Sequence, residues 1–347
     1  MASCESLDDV LKGVSRSFYL TLAILPPSMR QPLGVGYLLA RAADTIADTR
    51  ILPAPDRQAA LDLFRSELDF PAPSRLSEIS AALTGPDEKP AERTLLARLP
   101  ACLTAFRALD PDDQGRLRRL LHILIDGMRR DLETFGPERP GRVRALETRE
   151  DLDRYAYAAA GCVGEYWTET AIAHRRALRR WDPVAMRRRG LHFGQALQMT
   201  NVLRDLAHDL HHGRCYLPRR DLLAFGLRPE ELLDPGALER LRPLLRGLIQ
   251  QTIGGYGEAF SYLLAIPVSE LRLRLACAWP LFIGLATIDL VQRAPNLLDP
   301  RVTVKIPRPE VKRILARSSA LVWSNRGLGW YYGRHLAHLR ETPGPLR

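Results

Sequence analysis

The chain is expected to fold as an all-α protein, a single-domain helical bundle with its active-site cavity at the centre. Three observations predict this. Apolar residues recur at helical spacing along most of the 347 residues. Convincing alternation of apolar and polar residues, the mark of a half-buried strand, is absent. The breaks between periodic stretches are short Pro- and Gly-containing clusters, and no low-complexity linker divides the chain.

Taken in order, residues 5–22 and 34–49 read as helices, separated by the Pro-rich turn Leu25-Pro-Pro-Ser-Met-Arg-Gln-Pro32. Residues 56–69, 75–84 and 91–108 are shorter helical candidates, with Gly85-Pro-Asp-Glu-Lys-Pro90 as a surface loop. Residues 111–134 read as one long helix that Gly136-Pro-Glu-Arg-Pro-Gly141 ends. Helices follow over 149–180 and 183–211, and Gly213-Arg-Cys-Tyr-Leu-Pro218 breaks the second. Further helices are expected over roughly 235–265, 268–293 and 308–322. Residues 1–322 then make the main helical domain, and 323–347 a basic, aromatic tail.

The composition, 46% hydrophobic and 26% charged, is that of a globular chain large enough to bury a sizeable core. The formal net charge of +10 suits an anionic partner, whether a diphosphate, an acidic membrane surface or nucleic acid. Nearly all the positive charge is Arg, since Lys occurs only at 12, 89, 305 and 312. The charge is scattered and no nucleic-acid-binding signature is present, so nucleic acid is set aside. Cys4, Cys102, Cys162, Cys215 and Cys277 lie far apart and read as thiols in a reducing compartment. The N-terminus lacks an apolar run and no stretch of 18 apolar residues occurs. The expectation is a cytoplasmic protein, peripheral at most on the inner membrane face, without a transmembrane helix, and monomeric.

The chemistry starts from two acidic pairs. Asp44 and Asp48 lie in Arg41-Ala-Ala-Asp-Thr-Ile-Ala-Asp48, and Asp205 and Asp209 in Asn201-Val-Leu-Arg-Asp-Leu-Ala-His-Asp209; no other Asp-x-x-x-Asp occurs. An i,i+4 spacing sets two carboxylates on one helix face, where they repel unless a cation joins them. Mg²⁺ takes one or two carboxylates, keeps water, and fills its remaining positions with phosphate oxygen. Mn²⁺ could take its place. Two such faces opposite each other would make a diphosphate site. One pair alone is adequately explained by surface ion pairing with Arg41 or Arg204; the second copy shifts the balance toward metal. Gln198, Asn201 and Arg204 share roughly the face of Asp205, and Arg214 follows in the next loop. Arg16, between hydroxyls in Ser15-Arg-Ser-Phe18, suits a diphosphate too. Tyr155 precedes a run of small residues to Gly164, read either as close helix packing or as a smooth tunnel wall with a phenol for proton handling. Val304-Lys-Ile-Pro-Arg308 is either a charged surface loop or a phosphate contact for a second ligand.

In order along the chain, these residues resemble the motifs of the squalene/phytoene synthase family of head-to-head prenyltransferases. The marks are Ser15-Arg16-Ser17-Phe18, Tyr37 with Arg41 to Asp48, Tyr155 to Gly164, Gln198 to Asp209, and Gly213-Arg214 to Pro218. Cys277-Ala-Trp-Pro280 and Val304-Lys305-Ile306 are similar to segments of its squalene-forming branch rather than its phytoene-forming branch. The resemblance implies an isoprenoid-synthase fold with both acidic pairs facing a central cavity. It implies Mg²⁺ at Asp44, Asp48, Asp205 and Asp209, and Tyr155 as the proton-handling residue. Two farnesyl diphosphates would bind through Ser15, Arg16, Ser17, Phe18, Tyr37, Arg41, Gln198, Asn201, Arg204 and Arg214, and condense to presqualene diphosphate. NADPH, tied to Lys305 and Arg308, would reduce this to squalene. Pro307 interrupts the usual basic run of that loop, and Ala276 stands where squalene-forming members often carry Phe. The alternative is a sister activity, dehydrosqualene, phytoene or hydroxysqualene formation, with the same first half-reaction and no NADPH. A terpene cyclase acting on one diphosphate does not need the second acidic pair.

Overall fold

The structure, a computed structural model, describes residues 6–15, 18–49, 51–70, 89–136 and 141–341. Helices account for nearly all regular structure among these residues. The expected helix at 75–84 lies outside the described residues. The chain divides into two compact units, 1–137 with 169–176, and 138–168 with 177–347.

In the first unit, α1 (Leu7–Ser15) and α2 (Phe18–Ala23) lead into α3 (Pro27–Asp48). The Pro-rich turn expected at 25–32 is therefore mostly helix. Pro26 caps it, Pro27 takes the first position where a missing N–H costs nothing, and Pro32 is absorbed in the second turn. α4 (Ala54–Asp69), α5 (Pro90–Ala97), α6 (Leu99–Arg107) and α7 (Pro111–Phe135) follow. The single helix expected over 91–108 is broken at Arg98, with Pro100 starting the second piece. α3 packs on α4, α5, α6 and α7. Its buried face, Leu38, Leu39, Ala42 and Ile46, belongs to the same core as Leu61, Phe64, Leu103, Phe106 and Leu121. One wall of the unit is closed by ionic contacts: Asp113 of α7, itself buried, holds Arg116 at 2.7 Å and His174 at 2.9 Å.

The second unit contains the only strands among the described residues. β1 (Arg144–Ala145) and β2 (Arg214–Cys215) pair in parallel, Arg144 in register with Arg214. Gly213 reaches φ +75°, where glycine adds no strain, and a Cβ there would come within 2.9 Å of the Arg142 carbonyl. α8 (Arg149–Ala156) starts at a Thr148–Asp151 capping box. A π-turn over Tyr157–Gly161 joins it to α9 (Cys162–His174), of which the residues from Glu169 on belong to the first unit. The helix expected over 149–180 is thus three pieces and a short 3₁₀ turn at Arg176–Leu178. α10 (Pro183–Arg204) and α11 (Leu206–His211) replace the single helix expected over 183–211, the break falling at Asp205. α12 (Arg219–Ala224), α13 (Leu238–Ala265), α14 (Leu271–Arg293), α15 (Arg308–Leu321) and α16 (Asn325–Glu341) complete the unit.

α10 packs on α13, α14 and the π-turn, and α14 packs on α13, α15 and α16. By length and composition α14 could cross a bilayer, which the sequence reading did not flag; 67% of that window is buried within the protein. The segment from 323, expected as a tail, is mostly α16. Leu328, Tyr331 and Leu339 are buried, Tyr332 stacks on Phe260 at 4.1 Å, and Tyr331 meets Phe282 at 4.6 Å. Arg274, with no exposure, ties this end of the unit together. Its guanidinium donates to the carbonyls of Ile266 at 2.6 Å and Val322 at 2.9 Å, and to Asn325 Oδ1 at 2.7 Å.

Candidate active site

Each unit carries one acidic pair, built on different local structure. In the first, Tyr37, Arg41, Asp44 and Asp48 follow one another at i, i+4, i+7 and i+11, the polar stripe of an otherwise buried α3. Arg41 ion-pairs with Asp44 and reaches Glu92 of α5 at 2.6 Å, while Lys89 approaches the same Glu92 at 3.4 Å. Burial and then the Asp48 charge push the Asp44 carboxyl up to about 6, against the pull of Arg41. Burial also works against the Glu92 carboxylate, but the Arg41 hydrogen bond and charge outweigh it and hold Glu92 below the usual range. So α3 presents two carboxylates whose mutual repulsion the protein's own cations only partly relieve.

In the second unit, Asp205 ends α10 with φ −97° and ψ 11°, yet the Asp209 amide still donates to the Asp205 carbonyl at 2.9 Å. The one-turn relation of the two carboxylates survives the helix break. Arg204 grips Asp205 through a fork, Nε to Oδ1 at 2.8 Å and Nη2 to Oδ2. That hydrogen bond, more than any other influence, raises the Arg204 pKa. One turn back, Gln198 donates its amide to the Tyr155 hydroxyl at 2.9 Å, and Asn201 donates to Gln198 at 3.4 Å. Tyr155 also stacks on Tyr216 at 4.2 Å between ring centres.

Close backbone approach brings Tyr155 to Gln198. A Cβ on Gly164 would lie 1.9 Å from the Gly190 carbonyl oxygen, and one on Gly194 would lie 2.1 Å from that of Ala160. Gly164 and Gly194 are therefore required by packing of α9 and the π-turn against α10. π-turns of this kind recur at functional sites. The strand pair adds the second constraint. It fixes the chain before α8 to the chain before Tyr216, with Arg144 donating to the Gly213 carbonyl at 2.9 Å and Leu146 to that of Cys215 at 3.1 Å.

The donor set of each half suits a hard cation. Among the described residues, no group of three or more His, Cys, Asp or Glu could hold a metal by itself. Two carboxylates one turn apart leave the remaining positions to water and phosphate, which is how Mg²⁺ is usually bound.

The family model for squalene/phytoene synthases matches residues 11–310. The chain belongs to the squalene/phytoene synthase family. A squalene synthase of Yarrowia lipolytica is 25% identical over 310 residues, 87% of this chain and 64% of that one. A presqualene diphosphate synthase of Zymomonas mobilis is 30% identical over 255 residues, 73% of each chain. Phytoene synthases also match, and the chain spans only 33% of a bifunctional lycopene cyclase/phytoene synthase of Blakeslea trispora at 31% identity. Among solved structures, a ligand complex of TcSQS superposes with a TM-score of 0.76 at 22% identity, covering 98% of this chain and 92% of that one. The all-α isoprenoid-synthase fold is thereby shown.

Within this squalene/phytoene synthase chain, the structure groups Tyr37, Arg41, Asp44 and Asp48 on α3. It groups Tyr155, Gln198, Asn201, Arg204, Asp205 and Asp209 in the second unit. Ser15 is buried and donates its hydroxyl to the Leu11 carbonyl, within its own helix. Arg16, Ser17 and the side chain of Phe18 lie outside the described residues. Lys305 is exposed, and Arg308, also exposed, opens α15 behind Pro307. Sequence reasoning missed three residues. Glu92 holds Arg41, Tyr216 backs Tyr155, and Arg144 sits in register beside Arg214, setting two cationic side chains on the same short sheet. The Tyr-Leu-Pro that follows Arg214 was the one available signal for Tyr216.

Proposed function

We propose that this chain is a squalene synthase, which condenses two farnesyl diphosphates head-to-head to presqualene diphosphate and reduces that to squalene with NADPH. The observation that carries the reading is the pair of one-turn carboxylate motifs, each gripped by its own arginine, in a chain of this family.

Asp44, Asp48, Asp205 and Asp209 would hold Mg²⁺ (or Mn²⁺), which when bound supplies positive charge against the departing diphosphate. Arg41, Arg204 and Arg214 offer planar forks that orient phosphate oxygens. The C1–O bond of the donor breaks and the diphosphate leaves with the electron pair. The 2,3-double bond of the second farnesyl group attacks the allylic cation, and loss of one proton closes the cyclopropane. Tyr155, held by Gln198 and Tyr216, would pass that proton to the released diphosphate. Apolar helix faces keep water from the cation. In the second half-reaction the remaining diphosphate leaves; Lys305 and Arg308 would hold the phosphates of NADPH, which would supply the hydride.

A second reading stops before hydride transfer, giving presqualene diphosphate, dehydrosqualene or hydroxysqualene. Pro307 and Pro309 favour it, because they interrupt the basic run that the squalene-forming branch usually carries in this loop. The test is a product assay. Purified protein, farnesyl diphosphate and Mg²⁺ are incubated with and without NADPH, and extracts are resolved by gas chromatography–mass spectrometry. Squalene only with NADPH, with presqualene diphosphate accumulating otherwise, is the expected result. Products indifferent to NADPH support the second reading, and no diphosphate release under any condition sinks both.

A further inference from the structure

The two C-terminal helices carry a surface that the proposed reaction does not use. Their inner sides are occupied: Ile314 and Ser318 of α15 and Leu328, Tyr331 and Leu339 of α16 are buried, and both helices pack on α14 and on each other. Their outer sides are aromatic and basic. Trp323, at the corner between the helices, is 64% exposed, and Trp330 is 57% exposed. On α16 the outward stripe reads Arg326, Trp330, Arg334 at successive turns, with the Arg334 guanidinium over the Trp330 ring at 5.1 Å. On α15 Arg313 and Ala320 face outward, the helix ending near Trp323, while Arg317 turns its guanidinium toward the Tyr331 hydroxyl. Against Arg308, Lys312, Arg313, Arg317, Arg326, Arg334 and Arg340, residues 308–341 hold only Glu310 and Glu341 as acids, and Glu310 is already paired with Arg313.

Large indoles left in water are unfavourable unless something covers them. The unbalanced positive charge selects an anionic cover. Indole rings interleaved with guanidinium groups are the composition of segments that settle at the boundary between lipid headgroups and acyl chains. We propose that the outer face of α15 and α16 is a docking surface for an anionic lipid membrane. The indoles of Trp323 and Trp330 enter the headgroup layer, and Arg313, Arg326 and Arg334 contact lipid phosphates. The helices lie on the bilayer and do not cross it. This inference rests on exposure and charge, and it holds whichever product the enzyme makes.

The experiment is flotation of the full chain with vesicles of phosphatidylcholine alone or of equal parts phosphatidylcholine and phosphatidylglycerol. The wild type is expected to float with the mixed vesicles and not with the neutral ones. The W323S/W330S double variant should bind the mixed vesicles at least about tenfold more weakly. In R313Q/R326Q each removed charge should weaken binding about fivefold, a loss that added salt reproduces in the wild type. Lys305 and Arg308 stay intact, so the nicotinamide reading is not disturbed. Both variants should keep the wild-type melting temperature and diphosphate release from soluble substrate. Equal flotation of wild type and W323S/W330S overturns the proposal, as does equal binding to neutral and anionic vesicles. Duplex DNA at matched phosphate concentration serves as the other anion. If it binds as tightly as the vesicles and is lost equally in W323S/W330S, the surface is a nucleic-acid site and the proposal fails.

Discussion

Acid should loosen α16 through a single histidine. His335 sits behind the ring of Tyr331 at 4.7 Å and near Phe282 at 5.6 Å, and its buried Nε2 has no hydrogen-bond partner. Burial first, then the charges of His338, Arg317 and Arg334, push its pKa down to about 4 from 6.5. The groups around it come from all three helices. Arg334 and His338 share α16, Arg317 comes from α15, and on α14 Asp289 contacts His338 at 3.5 Å and pairs with Arg293. A histidine whose folded pKa is depressed binds its proton more readily when released. Its burial is neutral above about pH 6.5 and becomes destabilising as pH falls toward 4. At pH 5 the two pKa values give a penalty of about 2 kcal/mol, or about thirtyfold in the opening equilibrium. Hydrogen exchange of peptides covering 325–341, corrected for the intrinsic pH dependence, reads that equilibrium directly. Between pH 7.5 and pH 5 the wild type should lose about thirtyfold protection there, and His335→Phe should lose much less. Parallel losses in the two proteins would show that His335 is not buried as described.

Four further outcomes follow from the geometry. Asp44→Asn and Asp209→Asn should each lower diphosphate release from farnesyl diphosphate by at least about a hundredfold while leaving the circular dichroism spectrum unchanged, as expected for charge-stabilising groups; retained release removes the metal assignment. Gly164→Ala should destabilise the protein by about 3 kcal/mol in urea titration, because its Cβ meets backbone at 1.9 Å rather than a movable side chain. Gly254→Ala, facing open space on α13, should instead be neutral or stabilising by up to about 1 kcal/mol. Arg274→Met should cost about 3 kcal/mol, since it leaves two buried carbonyls and Asn325 without their donor, and the loss should appear as faster exchange at the start of α16.

What could be read from the chain follows the range of the interactions involved. The all-α class was legible because helix periodicity is local. The acidic stripe of α3 was legible for the same reason, since Tyr37, Arg41, Asp44 and Asp48 need only one continuous helix to share a face. The second acidic pair was legible as a spacing but not as a geometry. The apolar pattern runs through Asp205 without a Gly or Pro to mark the break, and the Arg204 fork that accompanies it leaves no periodic trace. Pro32 misled in the opposite direction, because a proline early in a helix removes one bond without ending it.

The contacts that set Tyr155 in place were the least legible, and the reason is physical. Gln198 is separated from Tyr155 by 43 residues. Tyr216 reaches it only because two-residue strands pair far apart in sequence, a signal too short to register as alternation. The Ala- and Gly-rich run after Tyr155 could be read as tight packing or as a smooth wall. The Gly164 contact answers for its position in the run, and the Gly194 contact for the facing turn of α10, since any side chain at either would strike backbone. Packing alone therefore accounts for those glycines. A role for the run in shaping substrate has to rest on Ala159 and Ala160, which stay partly open rather than buried. Enlarging these alanines would test substrate fit; enlarging the glycines would test only the fold.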